Sequence, residues 1–255
     1  MPNRLDGLNP VTRLLLIVGV TTPIFLSLDW VSGLSSVLLT CALAPICGMS
    51  WPQLFKAAWP LFWVAPISGL SMLLYGNEGG QEYFSFWMAS ITDNSIQLAG
   101  AVMIRVFAVT LPVIVLARGM DPTRLGDALA QVLHLPSRFV IGAVAGVRMV
   151  SLFRDDWDSL ARARRARGIA DMGRAKYLAT MSFGLLVLAL RRGGKLATAM
   201  EARGFGRTPP GIVRTWAEPS QLHAKDYWAL AFGAVIAAIP VLLSLYLGAW
   251  RLFGL

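Results

Sequence analysis

Formal charge is scarce in this chain of 255 residues, in which Asp, Glu, Lys and Arg make up 15% and hydrophobic residues 56%. Soluble globular domains carry about 25% charged residues, so this composition, with a mean hydropathy of +0.59, excludes an ordinary soluble domain and predicts a membrane protein. A helix needs about 20 residues to cross the hydrocarbon core. Four runs without formal charge support this class: residues 14–28, 30–55, 57–77 and 227–250.

Cysteine and histidine are scarce, with two residues of each. Cys41 and Cys47 lie six residues apart in an apolar run without a nearby histidine, so redox and zinc sites are excluded and buried thiols are expected. No GxxxxGK[ST] phosphate loop is present, because GGKL (193–196) has leucine where a hydroxyl is needed. The chain is therefore not expected to hydrolyse ATP by itself. No cofactor, metal or nucleic-acid partner is expected.

The charge that is present is unevenly placed. Residues 118–226 hold 18 of the 23 Lys and Arg and 9 of the 14 Asp and Glu, which accounts for the whole net charge of +9. Basic segments beside membrane spans prefer the cytoplasm, whereas the loop NEGGQEYF (77–84) contains two glutamates and no Lys or Arg. We expect a multi-pass protein of the cell membrane, with the N-terminus and residues 118–226 in the cytoplasm and the loop outside.

These features predict an all-α integral membrane protein with about five transmembrane helices and a cytoplasmic domain of three helices. Residues 1–117 would form the first four membrane helices, 118–226 the cytoplasmic domain and 227–255 the last membrane helix. The fourth helix, expected at 95–117, carries Arg105 at mid-depth, where an arginine is costly. Arg105 therefore predicts a buried partner or a functional seam, or else snorkelling or a local ion pair with a structural role only.

Apolar residues are periodic within the basic segment and predict three helices there. The first begins at Asp121-Pro122, a capping residue followed by a proline that suits the first helical position. The second is expected at about 137–167 and the third at about 173–203. Each of these two long helices carries an apolar stripe that leads to arginine. The stripes are Phe153, Trp157, Leu160 and Arg164 before Arg167, and Leu196 and Met200 before Arg203.

Both long helices end in the tripeptide Ala-Arg-Gly. Glycine can supply the left-handed turn that stops a helix, and arginine complements the negative helix end. A third copy at 117–119 ends the fourth membrane helix, where the membrane boundary is a sufficient explanation. Replacing Arg118 is therefore expected to have little effect on function. A helix with an apolar stripe and an exposed terminal arginine suits a groove in a partner protein.

Four segments resemble the T component of energy-coupling factor (ECF) transporters, and they occur in the family's order along nearly the whole chain. The T component is the transmembrane coupling subunit of that class of ABC transporter. They are LDGLNPVTRLLL (5–16), DPTRLGDALAQVLHLP (121–136), RARRARG (162–168) and AMEARGFG (199–206). The resemblance implies a non-catalytic subunit whose two long coupling helices dock on two ABC ATPase subunits. A separate membrane-embedded S component would bind the substrate, a vitamin or a transition-metal ion. The implied docking residues are Ala166, Arg167, Gly168, Ala202, Arg203 and Gly204.

The chain departs from the family where the second long helix approaches its end. Family members commonly have alanine and acidic residues there, whereas this chain has Gly193-Gly194. Glycine weakens a helix interior by about 1 kcal/mol relative to alanine, so a flexible joint is expected.

Other functional classes have some support in the residues. The basic, amphipathic segment 118–226 also suits the surface of an anionic membrane, with the arginines acting only as helix caps. A permease with its own substrate pocket is a further hypothesis, although few polar residues line the spans. The cluster RDDWD (154–158) suggests a magnesium-dependent intramembrane enzyme, but a second, facing carboxylate cluster is missing and neighbouring arginines make surface ion pairs the simpler interpretation.

Overall fold

The computed structural model describes residues 4–27, 29–75, 82–86, 89–168, 173–205, 215–216 and 218–248. Two compact units divide the chain, one formed by Met1–Met120 with Gln221–Leu255 and the other by Asp121–Ser220. A 3₁₀ turn at Arg4–Gly7 comes first. The helices and strands are α1 (Pro10–Leu26), α2 (Trp30–Leu43), α3 (Trp51–Ala58), α4 (Leu61–Tyr75), β1 (Glu82–Phe86), β2 (Ala89–Thr92), α5 (Asp93–Ala117), α6 (Pro122–Gln131), α7 (Ser137–Ala166), α8 (Arg174–Ala202) and α9 (Ala224–Tyr246).

Membrane-crossing length is present in α5, with 25 residues, and in α9, with 23. Helices α3 and α4 meet at a 49° bend and pass the same test as a pair, so the described residues offer two or three spans by length and composition. The bend lies at Pro60, which has no backbone N–H to continue the hydrogen bonds of α3, while Trp59 before it keeps helical dihedral angles. Helices α1 and α2 are apolar but shorter, with 17 and 14 residues.

Among the described residues before position 118 the structure has five α-helices. Since α3 and α4 together make one bent candidate span, the four membrane helices expected there stay a prediction. The uncharged run 30–55 does not form one helix. It breaks after Leu43 in a turn that contains Gly48 at φ 88°, a conformation that glycine adopts without steric cost. The predominantly helical membrane fold is confirmed, and the five-span topology stays a prediction.

A two-stranded antiparallel hairpin, β1 with β2, is an addition to the predicted all-α fold. Aromatic and β-branched residues in EYFSF and ASIT favour extended backbone. The loop expected on the outer side, 77–84, lies outside the described residues up to position 81.

Small residues and polar contacts hold the first unit together. A β-carbon added at Gly33 or Gly233 would collide with Ile104 or Leu16 respectively, so these glycines allow the close helix approach that is typical of membrane interfaces. The backbone N–H of Asn9 donates to Oδ1 of the buried Asp226 at 2.8 Å, which joins the start of α1 to the start of α9.

In the second unit, α6 packs on the first half of α7 at Gly126, where a β-carbon would overlap Val144. The chain after α8 returns to α6. There the side chain of Gln131 donates to the carbonyl of Glu218 and accepts from the N–H of Ser220, both at 2.9 Å. Burial, together with the carboxylates of Glu218 and Asp121, raises the pKa of Asp127.

Candidate docking ends of the two long helices

Helices α7 and α8 pack side by side in opposite directions. Arg164 near the end of α7 contacts Thr180 near the start of α8, whereas Asp156, earlier on α7, pairs with Arg192, further along α8. The residue numbers fall along one helix as they rise along the other, so the helices are antiparallel. Each carries its Ala-Arg-Gly at its C-terminal end, and the two copies therefore lie at opposite ends of the pair.

The separation of the two ends follows from helix geometry. Thr180, which marks the level of Arg164 on α8, precedes Arg203 by about six turns of helix, or about 35 Å at 1.5 Å per residue. A single small groove cannot hold both ends. Two separate binding sites are needed if both ends dock.

Both helices stop in the same backbone conformation. Arg167 has φ −90° and ψ 3°, and Arg203 has φ −86° and ψ 8°. Gly168 and Gly204 follow with φ 67° and 74°, which confirms the predicted left-handed turns. At the second end, the N–H of Gly204 donates to Glu201 O and the N–H of Phe205 to Met200 O, both at 2.9 Å. These two bonds are those of a Schellman cap, which satisfies the last carbonyls of a helix.

The side chains of the two terminal arginines are not used for contacts within the second unit. The side chains of Arg167 and Arg203 are exposed, and neither makes a hydrogen bond or an ion pair with another described residue. An exposed guanidinium keeps five donors in a rigid planar fork, a geometry suited to carboxylate or carbonyl oxygens in fixed positions. The arrangement can therefore present one such fork to each of two partners.

The third copy of the tripeptide behaves differently. Arg118 has φ −59° and ψ 129°, and its Nη1 donates to the carbonyl of Gly48 at 3.2 Å and to Oε1 of Gln53 at 2.9 Å. The Arg118 carbonyl in turn accepts from Nη1 of the buried Arg13 at 3.2 Å. Arg118 thus ties the end of α5 to α1 and to the start of α3. This gives Arg118 a structural role, while its neutrality for partner binding and transport stays a prediction.

The predicted stripes lie at half-buried positions: Phe153, Trp157, Leu160 and Arg164 on α7, and Leu196 and Met200 on α8. Leu160 lies beside Gly184 of α8, where an added β-carbon would be 3.7 Å from Leu160 Cδ1. Arg164 donates to the Thr180 hydroxyl at 2.6 Å and to the Thr180 carbonyl at 2.9 Å. Arg164 therefore joins the two helices. Its guanidinium is engaged by Thr180, whereas that of Arg167 is exposed and can contact a partner.

One contact between the long helices was not anticipated from sequence. Asp156 and Arg192 pair at 3.0 Å, with 16% and 36% of their side chains exposed. Asp156 belongs to the acidic cluster considered as a magnesium site, and no group of three or more metal-binding side chains occurs in the part of the chain that the structure describes. Among the described residues the cluster contributes one ion pair, which joins α7 to Arg192 of α8 and does not involve the neighbouring arginines that the sequence suggested.

Arg105 of α5 lies beside the end of α1. One guanidinium nitrogen donates to the carbonyl of Phe25, the guanidinium carbon lies 5.6 Å from the centre of the Phe25 ring, and Asp29 attracts the charge. Oδ2 of Asp29 accepts at 2.6 Å from the hydroxyl of Ser244 in α9. These contacts agree with the structural interpretation of Arg105, while the functional seam stays a prediction.

The chain resembles known transport proteins over most of its length. The sequence model of the family described as "CbiQ: Cobalt transport protein" matches residues 2–211. The energy-coupling factor transporter transmembrane protein EcfT of Limosilactobacillus fermentum is 27% identical over 222 residues, which is 81% of each chain. EcfT of Brevibacillus brevis is 24% identical over 255 residues, covering 95% of this chain and 92% of the relative. EcfT 1 of Listeria monocytogenes is 25% identical over 221 residues, covering 80% and 82%.

Proposed function

Because the chain belongs to the CbiQ family of cobalt transport proteins, we propose that it couples ATP hydrolysis by two ABC ATPase subunits to substrate uptake through a separate S component in the membrane. The similar proteins are named as transmembrane proteins of energy-coupling factor transporters. The chain is likewise the energy-coupling membrane subunit of such a transporter and is not itself catalytic. The substrate class is a vitamin or a transition-metal ion, bound by the S component.

The antiparallel pair of long helices is the observation that carries the proposal. It presents two exposed arginines, Arg167 and Arg203, in matching caps about 35 Å apart along α8. Two ATPase subunits would each receive one end in a groove, with Ala166 and Gly168 beside the first arginine and Ala202 and Gly204 beside the second. Small flanking residues allow the helix end to approach a groove wall closely.

Contacts between α7 and α8 give the pair the stiffness that force transmission needs. The bonds of Arg164 to Thr180 and the ion pair of Asp156 with Arg192 join the helices at two levels. When the ATPases close on nucleotide, their grooves would move the two anchored ends. The pair would then pass that movement to the membrane helices and to the S component. This mechanism places residues 118–226 and the N-terminus in the cytoplasm, where ATP is available.

Copurification tests the docking assignment. We expect the double substitution Arg167→Ala and Arg203→Ala to lose both ATPases and uptake while the S component stays bound. Truncating a central interface arginine costs about 2 kcal/mol or more, which is about a 30-fold loss of affinity at each end. Lysine at both positions should also fail, because a point charge does not replace a planar fork.

Matched controls lie on the same two helices. Arg154 of α7 and Arg191 of α8 are exposed and lie far from the helix ends, so replacing both with alanine should leave ATPase binding and uptake unchanged. Retention of both ATPases and full uptake by the Arg167 and Arg203 double variant would show that these arginines are helix caps only. Full activity of the lysine variant would instead support binding to an anionic membrane surface.

A further inference from the structure

An apolar groove of about 160 Å³ opens on the first unit between α1, α2, α5 and α9. Leu16 and Val20 of α1, Leu43 of α2 and Val115 of α5 are among its lining residues. Helix α9 contributes four more that share one helical face: Ala229, Phe232, Gly233 and Ile236. The two helices that are long enough to cross a membrane, α5 and α9, both border the groove. Its exposed lining residues Ile46 and Phe232 leave it open at the surface of this unit.

Water is a poor occupant of this groove. A bound water needs two to four polar partners, and the lining is almost wholly hydrocarbon, with the Thr40 hydroxyl among the few polar groups. A void would forfeit the dispersion contacts of every lining side chain. In a bilayer the available filler is a lipid acyl chain, which is as apolar as the lining and slender enough to follow a groove between helices.

The end of the groove near the start of α9 has the features of a membrane interface. Lys225 is exposed and precedes Ala229 by four residues, so it continues the same helical face towards the helix N-terminus. Trp228 and Tyr227, 77% and 60% exposed, are the aromatic types that concentrate at the level of lipid headgroups. Leu5 also lines the groove, which places this end beside the start of the chain.

We propose that this groove holds one acyl chain of an anionic phospholipid, from the leaflet at the α9 N-terminus, with the headgroup phosphate at Lys225. An acyl chain gains no hydrophobic free energy by leaving bulk lipid for an equally apolar groove. Selection for this lipid therefore depends on the lysine, while the groove fixes where the chain lies. The lipid would lie between α9 and α5 and bridge the last membrane helix to the earlier ones.

Native mass spectrometry of the full chain, purified from membranes that contain phosphatidylglycerol and phosphatidylcholine, tests this site. The wild type should retain one phosphatidylglycerol. Lys225→Ala should lower its retention about fivefold, the change expected when one lysine at an anionic lipid surface is removed. Ala229→Phe should abolish it, since the added ring would fill the groove.

The matched control is Ala231→Phe, which adds the same ring to an exposed position of α9 outside the groove lining and should retain the lipid. A photoreactive residue at Ile236 should label a lipid and not a protein in whole membranes. Equal lipid retention by the wild type and Ala229→Phe would overturn the site, and so would a protein adduct at Ile236. The lipid would bind whether or not the chain couples ATP hydrolysis.

Discussion

Replacing Gly193 and Gly194 with alanine should make the protein more stable and its transport less well coupled. Both glycines are exposed within α8, which continues unbroken from Arg174 to Ala202. A β-carbon at either position would meet no other atom within 4 Å, so alanine fits without strain. Packing therefore does not require glycine here, and the pair weakens the helix just before its arginine end.

The expected stabilisation follows from helix propensity. Alanine is favoured over glycine by about 1 kcal/mol in an exposed helix interior, so the double variant should gain about 2 kcal/mol. For a chain of this size, each kcal/mol raises the melting temperature by about 2–4 °C. Hydrogen exchange of the amides between Lys195 and Arg203 should slow as well, because a stiffer helix opens less often.

The functional readout is the number of ATP molecules hydrolysed per substrate taken up by the reconstituted complex. A stiffened α8 should raise this ratio while the ATPases remain bound, since the second end can no longer follow its groove independently. Gly142 and Gly146 of α7 provide the control, because they are also exposed with no atom within 4 Å of an added β-carbon. Alanine at these two positions should give a similar stabilisation with normal coupling. An unchanged ratio in the Gly193 and Gly194 variant would remove the joint from the mechanism.

Two further predictions concern topology and the third arginine. An impermeant thiol reagent should label a cysteine introduced at Glu78 in intact cells but not one at Arg162, and the reverse pattern would contradict the predicted orientation. Arg118→Ala should lower the free energy of unfolding by about 1–3 kcal/mol, because it removes a charged donor from Gly48 and Gln53. The ATPases should stay bound to this variant. An unchanged free energy of unfolding would refute the structural role of Arg118.

Local patterns predicted the long helices closely. The helices expected at about 137–167 and 173–203 are observed at Ser137–Ala166 and Arg174–Ala202. Periodic apolar residues, a C-cap arginine and the glycine after it all act within a few positions of one another. The left-handed conformations of Gly168 and Gly204 followed from the same local chemistry. The break after Leu43 was missed, although Pro45 and Gly48 are typical of a turn and Ser50 with Gln53 forms a capping box that begins the next helix. The absence of charge marks a run as apolar but does not mark where a helix stops.

The roles of individual arginines could not be predicted in this way. Three copies of Ala-Arg-Gly look alike in sequence, and all three place glycine at positive φ. Only the tertiary structure shows that Arg118 binds Gln53 whereas Arg167 stays exposed. The same holds for Arg164, which the stripe grouped with the terminal arginines and which instead binds Thr180.

The sequence by itself determined that this is a helical membrane protein with a basic segment and two similar arginine-terminated helices, because hydropathy, charge and capping are properties of neighbouring residues. The tertiary structure decided that those two helices run antiparallel, so that their arginines lie at opposite ends. It also decided which guanidinium groups make hydrogen bonds within the chain and which stay exposed. A guanidinium reaches oxygens within about 3 Å. Which oxygens lie there depends on how helices distant in sequence pack, and no local pattern of residues specifies that packing.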